Sequence, residues 1–451
     1  MEAFRNIIGA LLVLFFMAGC ATVKTDQEWG KLKEIAYERF GEEIVWEQSE
    51  AEKQRTQNEV ARLLTDGLSR HDAVRIALMN NRQLQQSFEK VGISKSDLVQ
   101  AGLFSNPSLD VLFRFPSGGG RTNIEATSLL PLSDLWQIPF RKKVAATRLE
   151  ATILHTGQIM IETAAEAKKD YDAVNYLKRS EKETKEILQK FQEIRDQVDT
   201  RRNFGFMSEQ DLYLSQLMVF DAELELARIR NQIATRKAKL NRVLGLKLSQ
   251  NNYELVPEKE CEEFAHLPDL ETAVRHALEH RLEVQMAKFR IHRAERVLEL
   301  EKKLIFKHIG LGASYEKDVE GTEGFGPALD IQLPLFDQNQ AQIARAQYEI
   351  RQERKKLQAL EDQVWEEVTG DLEAIRLFET RRRSLREQII PLREKILKYA
   401  EKWVSAMQLN RLYLLEAQRG LLQSRQEYVE ALMGFQNALV DLELHLGGKL
   451  P

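Results

Sequence analysis

The chain of 451 residues has only two cysteines, Cys20 and Cys261. Cys20 closes an N-terminal leader, so the remainder holds one thiol and can form neither an internal disulfide nor a cysteine-built zinc site. Prolines number 10 and glycines 23, few for this length, and they cluster at a handful of places. Helix should therefore dominate. Charge of one sign is missing too: Lys and Arg total 65, Asp and Glu 69, for a net charge of −4. No basic face for nucleic acid follows from that balance. With 30% charged residues of interspersed sign, the composition suits long helices with solvated outer faces.

Chemistry is also sparse. No Gly-x-x-x-x-Gly-Lys phosphate loop and no Gly-x-Ser-x-Gly elbow occurs. Gly321, Gly324 and Gly326 lie outside the strand-to-helix setting a dinucleotide site requires. His276 and His280 stand four apart on one helix face, but without a nearby third ligand they do not make a metal site. The sequence implies no catalytic residue, no cofactor and no metal.

What is present begins with the leader. Ile7 to Met17 are apolar, too short a run to span a bilayer, and read as the core of a secretion signal covering residues 1–19. Met17-Ala18-Gly19-Cys20 resembles a bacterial lipobox, which would make Cys20 the acylated first residue. Ala21 after it favours, by the same resemblance, the outer membrane. Residues 20–64 form a charged extension of undetermined structure.

Beyond it the sequence repeats itself. Ala73-Val74-Arg75-Ile76-Ala77-Leu78 returns as Ala273-Val274-Arg275-His276-Ala277-Leu278, and Leu212-Tyr213-Leu214 as Leu412-Tyr413-Leu414, both displaced by 200 positions. Leu130-Pro131-Leu132 is echoed by Leu333-Pro334-Leu335, and Leu244-Gly245 by Leu446-Gly447. Two repeats follow, 65–256 and 266–448, joined by a linker containing Pro257. Each reads as a helix of about 30 residues, a strand zone, a very long helix, an interruption and another long helix.

The long helices carry 4-3 apolar spacing: Ile187, Phe191, Ile194 and Val198; Leu385, Ile389, Leu392, Ile396, Tyr399 and Trp403; Tyr428, Leu432, Phe435, Leu439, Leu442 and Leu446. Each stripe should bury a coiled-coil seam. The helix from Arg141 to Arg201 would reach about 90 Å. Pro391, inside the second seam, should bend its helix.

In the strand zones Leu109, Val111, Phe113 and Phe115 alternate with Ser108, Asp110, Leu112 and Arg114, and Ile309, Leu311, Ala313 and Tyr315 with Gly310, Gly312 and Ser314. Two hairpins are expected, at about 108–131 and 309–334, the second turning over 316–324. Their strands match the ten residues or so of a tilted membrane strand. Four strands cannot close a barrel, and open edges in lipid are prohibitive. The hairpins are therefore either water-soluble or shared among several chains.

Asn106-Pro107, the run Leu333-Pro334-Leu335-Phe336-Asp337 leading into Asn339 to Ala346, and the duplicated helix–hairpin–helix order resemble the outer-membrane efflux (TolC) family from about Leu68 to Gly447. With Cys20 the resemblance is to its lipoprotein branch. It implies a mainly α fold with a small β part, three copies joining into a twelve-stranded β-barrel above a long helical periplasmic tunnel. It also implies a passive conduit in the outer membrane of a Gram-negative bacterium. A periplasmic adaptor (membrane fusion) protein and an inner-membrane pump would be its partners, and small molecules or metal ions its cargo. The adaptor-docking tips map onto Phe204, Gly205, Phe206, Met207 and Ser208, and onto Val404, Ser405, Ala406 and Met407. Asp196 and Asp199, three times over, could ring an aperture. The competing expectation is a periplasmic coiled-coil scaffold or adaptor lipoprotein that never inserts.

Overall fold

The computed structural model describes residues 22–247, 250–256, 267–405 and 411–448. Cys20, Cys261, Ala406 and Met407 lie outside them, as does the leader.

The N-terminal extension forms two helices, α1 (Asp26–Phe40) and α2 (Glu50–Thr65). Ser49 starts the second: its side chain accepts the N–H of Glu52 at 3.2 Å. Next come α3 (Arg70–Asn80), α4 (Arg82–Ala101), β1 (Ser108–Arg114), β2 (Asn123–Pro131), α5 (Asp134–Asn203) and α6 (Glu209–Val243). After the linker the same order of elements recurs as α7 (Leu270–His280), α8 (Leu282–Lys303), β3 (Ile309–Lys317), β4 (Glu323–Ile331), α9 (Gln340–Ser384), α10 (Ile390–Ser405) and α11 (Arg411–His445). Helix α5 alone runs for 70 residues.

The chain divides into two compact units. One gathers residues up to Leu32, Ser87–Thr156 and Glu283–Leu360, and so holds all four strands. In it Trp29 sets its ring edge-on against Phe88 at 5.1 Å, and Lys95 bonds the buried Glu28 at 2.7 Å. The other gathers Lys33–Gln86, Gly157–Leu282 and Glu361 onwards, and holds the helix ends and coiled-coil seams.

The expected thirty-residue helix at the head of each half is instead two helices, broken at Asn81 and Arg281. The reason lies in side chains. Asn81 has extended backbone geometry (φ −66°, ψ 124°), and its Oδ1 accepts the N–H of Leu84 at 2.9 Å, capping α4. Its amide donates to the carbonyl of Val243 at 2.8 Å, while Asn80 donates to that of Leu244 at 2.7 Å. Those carbonyls end α6 and would otherwise be orphaned. The approach is so close that a Cβ on Gly245 would stand 2.1 Å from the Asn80 carbonyl oxygen, at a φ of +67°. Gly447 repeats the arrangement against His280, with a Cβ clearance of 2.9 Å and φ +93°. The Leu-Gly pairs thus end each half where its last helix meets the break in its first.

Packing resolves the three seams differently. Ile187, Phe191, Ile194 and Val198 are buried against Leu212, Val219 and Ala222 of α6 and Leu415 and Leu422 of α11. The seam from Tyr428 to Leu446 is buried as well. The middle seam is not. Leu385 is buried, but Leu392 and Tyr399 are 59% and 63% exposed, and Ile389 and Trp403 are exposed too. A π-helical turn over Leu385–Ile389 explains this. Pro391 cannot donate, and its ring would clash with an α-helical carbonyl four residues back; the wider turn makes room. Each residue inserted this way rotates the rest of the helix by about 100°. Ala400 and Val404 consequently face inward, and the apolar stripe faces out.

A charged cluster fixes the last helix. His445 Nδ1 lies 2.6 Å from Asp371 Oδ2, and its Nε2 3.8 Å from Glu367, which also binds buried Arg281 at 2.7 Å. Burial opposes protonation of His445, and Arg281 adds to that; the Asp371 hydrogen bond with the Asp371 and Glu367 charges outweighs them, raising its pKa. A raised histidine pKa contributes stability in full below the unfolded value near 6.5 and loses it as pH climbs through the folded value. Thermal stability of the wild type should therefore fall as the pH rises above about 6.5, and His445→Gln should flatten that slope. Melting curves across this range check it; an unchanged slope in the variant would contradict the assignment.

Candidate membrane sheet and helix tip

The four strands form one antiparallel sheet in the order β1-β2-β3-β4, so β1 and β4 each present an open edge. The second hairpin turns more tightly than expected, over residues 318–322, because Asp318 Oδ1 accepts the N–H groups of Glu320, Gly321 and Thr322 at 2.8–2.9 Å.

Residues directly opposite in register share a face. Leu109 pairs with Ser128, Val111 with Ala126 and Phe113 with Ile124; Ala126 continues to Tyr315, and Tyr315 to Phe325. On the same face Leu130 meets Leu311, Leu311 meets Leu329, and Ile309 meets Ile331. One side of the sheet is thereby mainly apolar from edge to edge, with Ser128 within it and the Lys317–Glu323 ion pair at its turn end. It is also uncovered in the single chain: Leu109, Phe325 and Leu329 are 69%, 68% and 63% exposed. The other face carries Asp110, Arg114, Glu125, Thr127, Ser314 and Glu316 with glycines between them. There Thr127 and Ser314 hydroxyls bond at 3.0 Å, and Arg114 pairs with Glu125.

Each large side chain left in water forfeits about 1.5–3 kcal/mol of burial. A whole face of them needs an apolar surrounding. Yet in lipid the unpaired edge groups of β1 and β4 would each cost several kcal/mol. Both demands are met together only if the edges pair with further strands and the apolar face turns outward. The polar, glycine-rich face then lines the inside.

The second candidate site is the turn from α5 to α6. Gly205 donates to Arg202 O at 2.8 Å and Phe206 to Arg201 O at 2.9 Å, satisfying the last helical carbonyls, with Gly205 at φ +76°. Ser208 then opens α6 through a reciprocal cap with Asp211, the two bonds at 3.1 and 2.9 Å. Between these locks Phe204 and Phe206 stand 72% and 80% exposed, while Met207 packs on the seam. Sequence reading missed an adjoining feature on α6: Tyr213, Leu217, Phe220 and Leu224 are exposed in 4-3-4 spacing. That spacing was visible but is masked by the interleaved buried stripe.

Of the acidic pair, Asp196 is exposed and touches its neighbour Arg195 at 2.6 Å. Asp199 is held by Arg202 at 2.9 Å, and Arg202 also binds Glu209 at 2.5 Å. In the second half Val404 is buried and Ser405 ends α10. His276 and His280 stack ring on ring at 4.1 Å, and no cluster of metal-ligating residues occurs among the described residues.

Residues 273–448 match the family model described as outer membrane efflux protein. No curated protein matches the chain. Solved structures do. A membrane protein from Pseudomonas aeruginosa superposes with a TM-score of 0.73 at 18% identity, covering 84% of this chain and 90% of its own. The Campylobacter jejuni CmeC outer membrane channel gives 0.72 at 14%, covering 84% and 85%. The outer membrane protein VceC of Vibrio cholerae gives 0.68 at 16%, covering 89% and 100%.

Proposed function

We propose, from a second half that matches the outer membrane efflux protein family and a fold shared with outer-membrane channels, that this chain is the outer-membrane duct of an export system. Three copies close one twelve-stranded barrel, and their long helices continue it as a periplasmic tunnel. The duct is passive, without catalysis of its own; transport energy comes from an inner-membrane pump through a periplasmic adaptor. Both halves descend from one duplicated unit.

The observation that carries this reading is the sheet with one uncovered apolar face and two open edges. A periplasmic scaffold that never inserts would have to leave that face in water. Purified in detergent, the protein is expected at the mass of three chains and, in planar bilayers, to open pores. A stable monomer in plain buffer would refute it.

The exposed Phe204 and Phe206, with Gly205, Met207 and Ser208, suit docking of an adaptor's helical tip, as does the stripe starting at Tyr213. By the 200-residue displacement Val404 to Met407 are the corresponding sequence positions in the second half, although Val404 is itself buried. At the aperture Asp196 and Asp199 are the acidic contributors, each already paired with an arginine of its own chain, Arg195 and Arg202. Small molecules or metal ions are the cargo. Cys20 is the lipid anchor, tested by whether labelled palmitate is incorporated only when Cys20 is present.

A further inference from the structure

A cleft of about 380 Å³ opens where α5, α6 and α11 meet, all three within one compact unit. On α6 its first lining residue, Glu225, stands about 25 Å along the helix from the cap at Ser208, so the cleft is separate from the tip. Its volume falls in the range of about 300–1,000 Å³ that takes a small organic molecule. The floor is apolar, made by Leu177 of α5, Ile229 of α6, and Val429 and Met433 of α11.

The polar groups around that floor are unevenly placed. Towards the end of α6, Arg236 and Lys239 line the cleft one turn apart. Arg236 donates to the buried Asp170 at 3.2 Å and keeps the other donors of its guanidinium fork. Lys239 is exposed and forms no salt bridge among the described residues. At the opposite end Arg228 is closed on Glu225 through two bonds of 2.7 and 2.8 Å, and Glu430 adds a second carboxylate beside it. The cleft is thus cationic at one end and acidic at the other. Ser180 of α5 also lines it, 6% exposed, with no hydrogen-bond partner for its hydroxyl among the described residues. A hydroxyl so buried normally has a partner, and this one faces the cleft.

We propose that the cleft binds a small organic anion, a carboxylic or sulfonic acid with an apolar body. The acid group lies on Arg236 and Lys239, the body lies on the apolar floor, and the Ser180 hydroxyl bonds the ligand. Glu225 and Glu430 at the far end repel a second negative charge, which restricts the class to monoanions. The site belongs to the helical body and stands apart from the sheet and the tip, so it does not depend on the duct reading.

The probe is 4-benzoylbenzoate, a monoanionic benzophenone, illuminated with the purified full chain in neutral detergent at neutral pH. Adducts should map by peptide mass to the stretches of α5, α6 and α11 that line the cleft, with Met433 the expected main site. The uncharged methyl ester should label about tenfold less, and so should Lys239→Gln, the effect of losing one charged hydrogen bond. Lys239 is exposed, so the variant should fold; Lys247→Gln, an exposed lysine outside the cleft, should label like the wild type. Equal labelling by the ester, undiminished labelling of Lys239→Gln, or adducts mapping elsewhere would each overturn the site. None of these outcomes bears on assembly, so the duct reading is tested separately.

Discussion

Val111→Arg and Leu329→Arg are each expected to abolish trimeric assembly in the outer membrane, whereas Asp110→Arg, one residue away, should be tolerated. Val111 and Leu329 lie on the uncovered apolar face, and Asp110 on the polar face. An arginine on the lipid side of a barrel costs about 2–4 kcal/mol near the bilayer midplane. One substitution enters three times in a trimer, so the penalty reaches about 6–12 kcal/mol, comparable to the whole stability of an ordinary domain. On the polar side the same guanidinium meets water and costs little. Membrane fractionation with electrophoresis of unheated samples reads both outcomes. Equal tolerance of all three variants would mean that the face does not meet lipid.

The second large effect belongs to the tip. Phe204→Ser combined with Phe206→Ser should leave the trimer intact and abolish export. Neither side chain supports the fold, being exposed beyond two closed backbone locks, so stability should change little. Aromatic anchors at the centre of an interface carry about 2 kcal/mol or more each, roughly thirtyfold in affinity per residue. Adaptor binding to the purified variant, beside a drug or metal susceptibility assay in cells, separates docking from assembly. Full adaptor binding by the double variant would remove the tip from the docking surface.

What the sequence disclosed depended on the range of the interactions involved. The hairpins were legible because period-two alternation is local: Leu109, Val111 and Phe113 announce one face by themselves. The second turn came out shorter than expected because one side chain, Asp318, closes it with three backbone bonds. The break at Asn81 was hidden, since its meaning comes from the carbonyl of Val243, 162 positions away. Pro391 correctly signalled a disturbed helix. Its consequence, the swing of the following stripe out of the chain's own core, needed the π turn to be seen. The Asp196–Arg195 and Asp199–Arg202 pairs could have been anticipated from their one- and three-residue spacings, and both weaken the simplest aperture assignment. The tip followed from resemblance; the exposure of Phe204 and Phe206 gives it a physical basis.

The most direct measurement is lipid accessibility along β1 in reconstituted vesicles. Nitroxide labels placed one at a time from Leu109 to Arg114 should alternate, relaxed by oxygen at Leu109, Val111 and Phe113 and by a water-soluble reagent at Asp110, Leu112 and Arg114. Uniform access by the water-soluble reagent at all six positions, or alternation of the opposite phase, would contradict a barrel wall whose apolar face meets lipid.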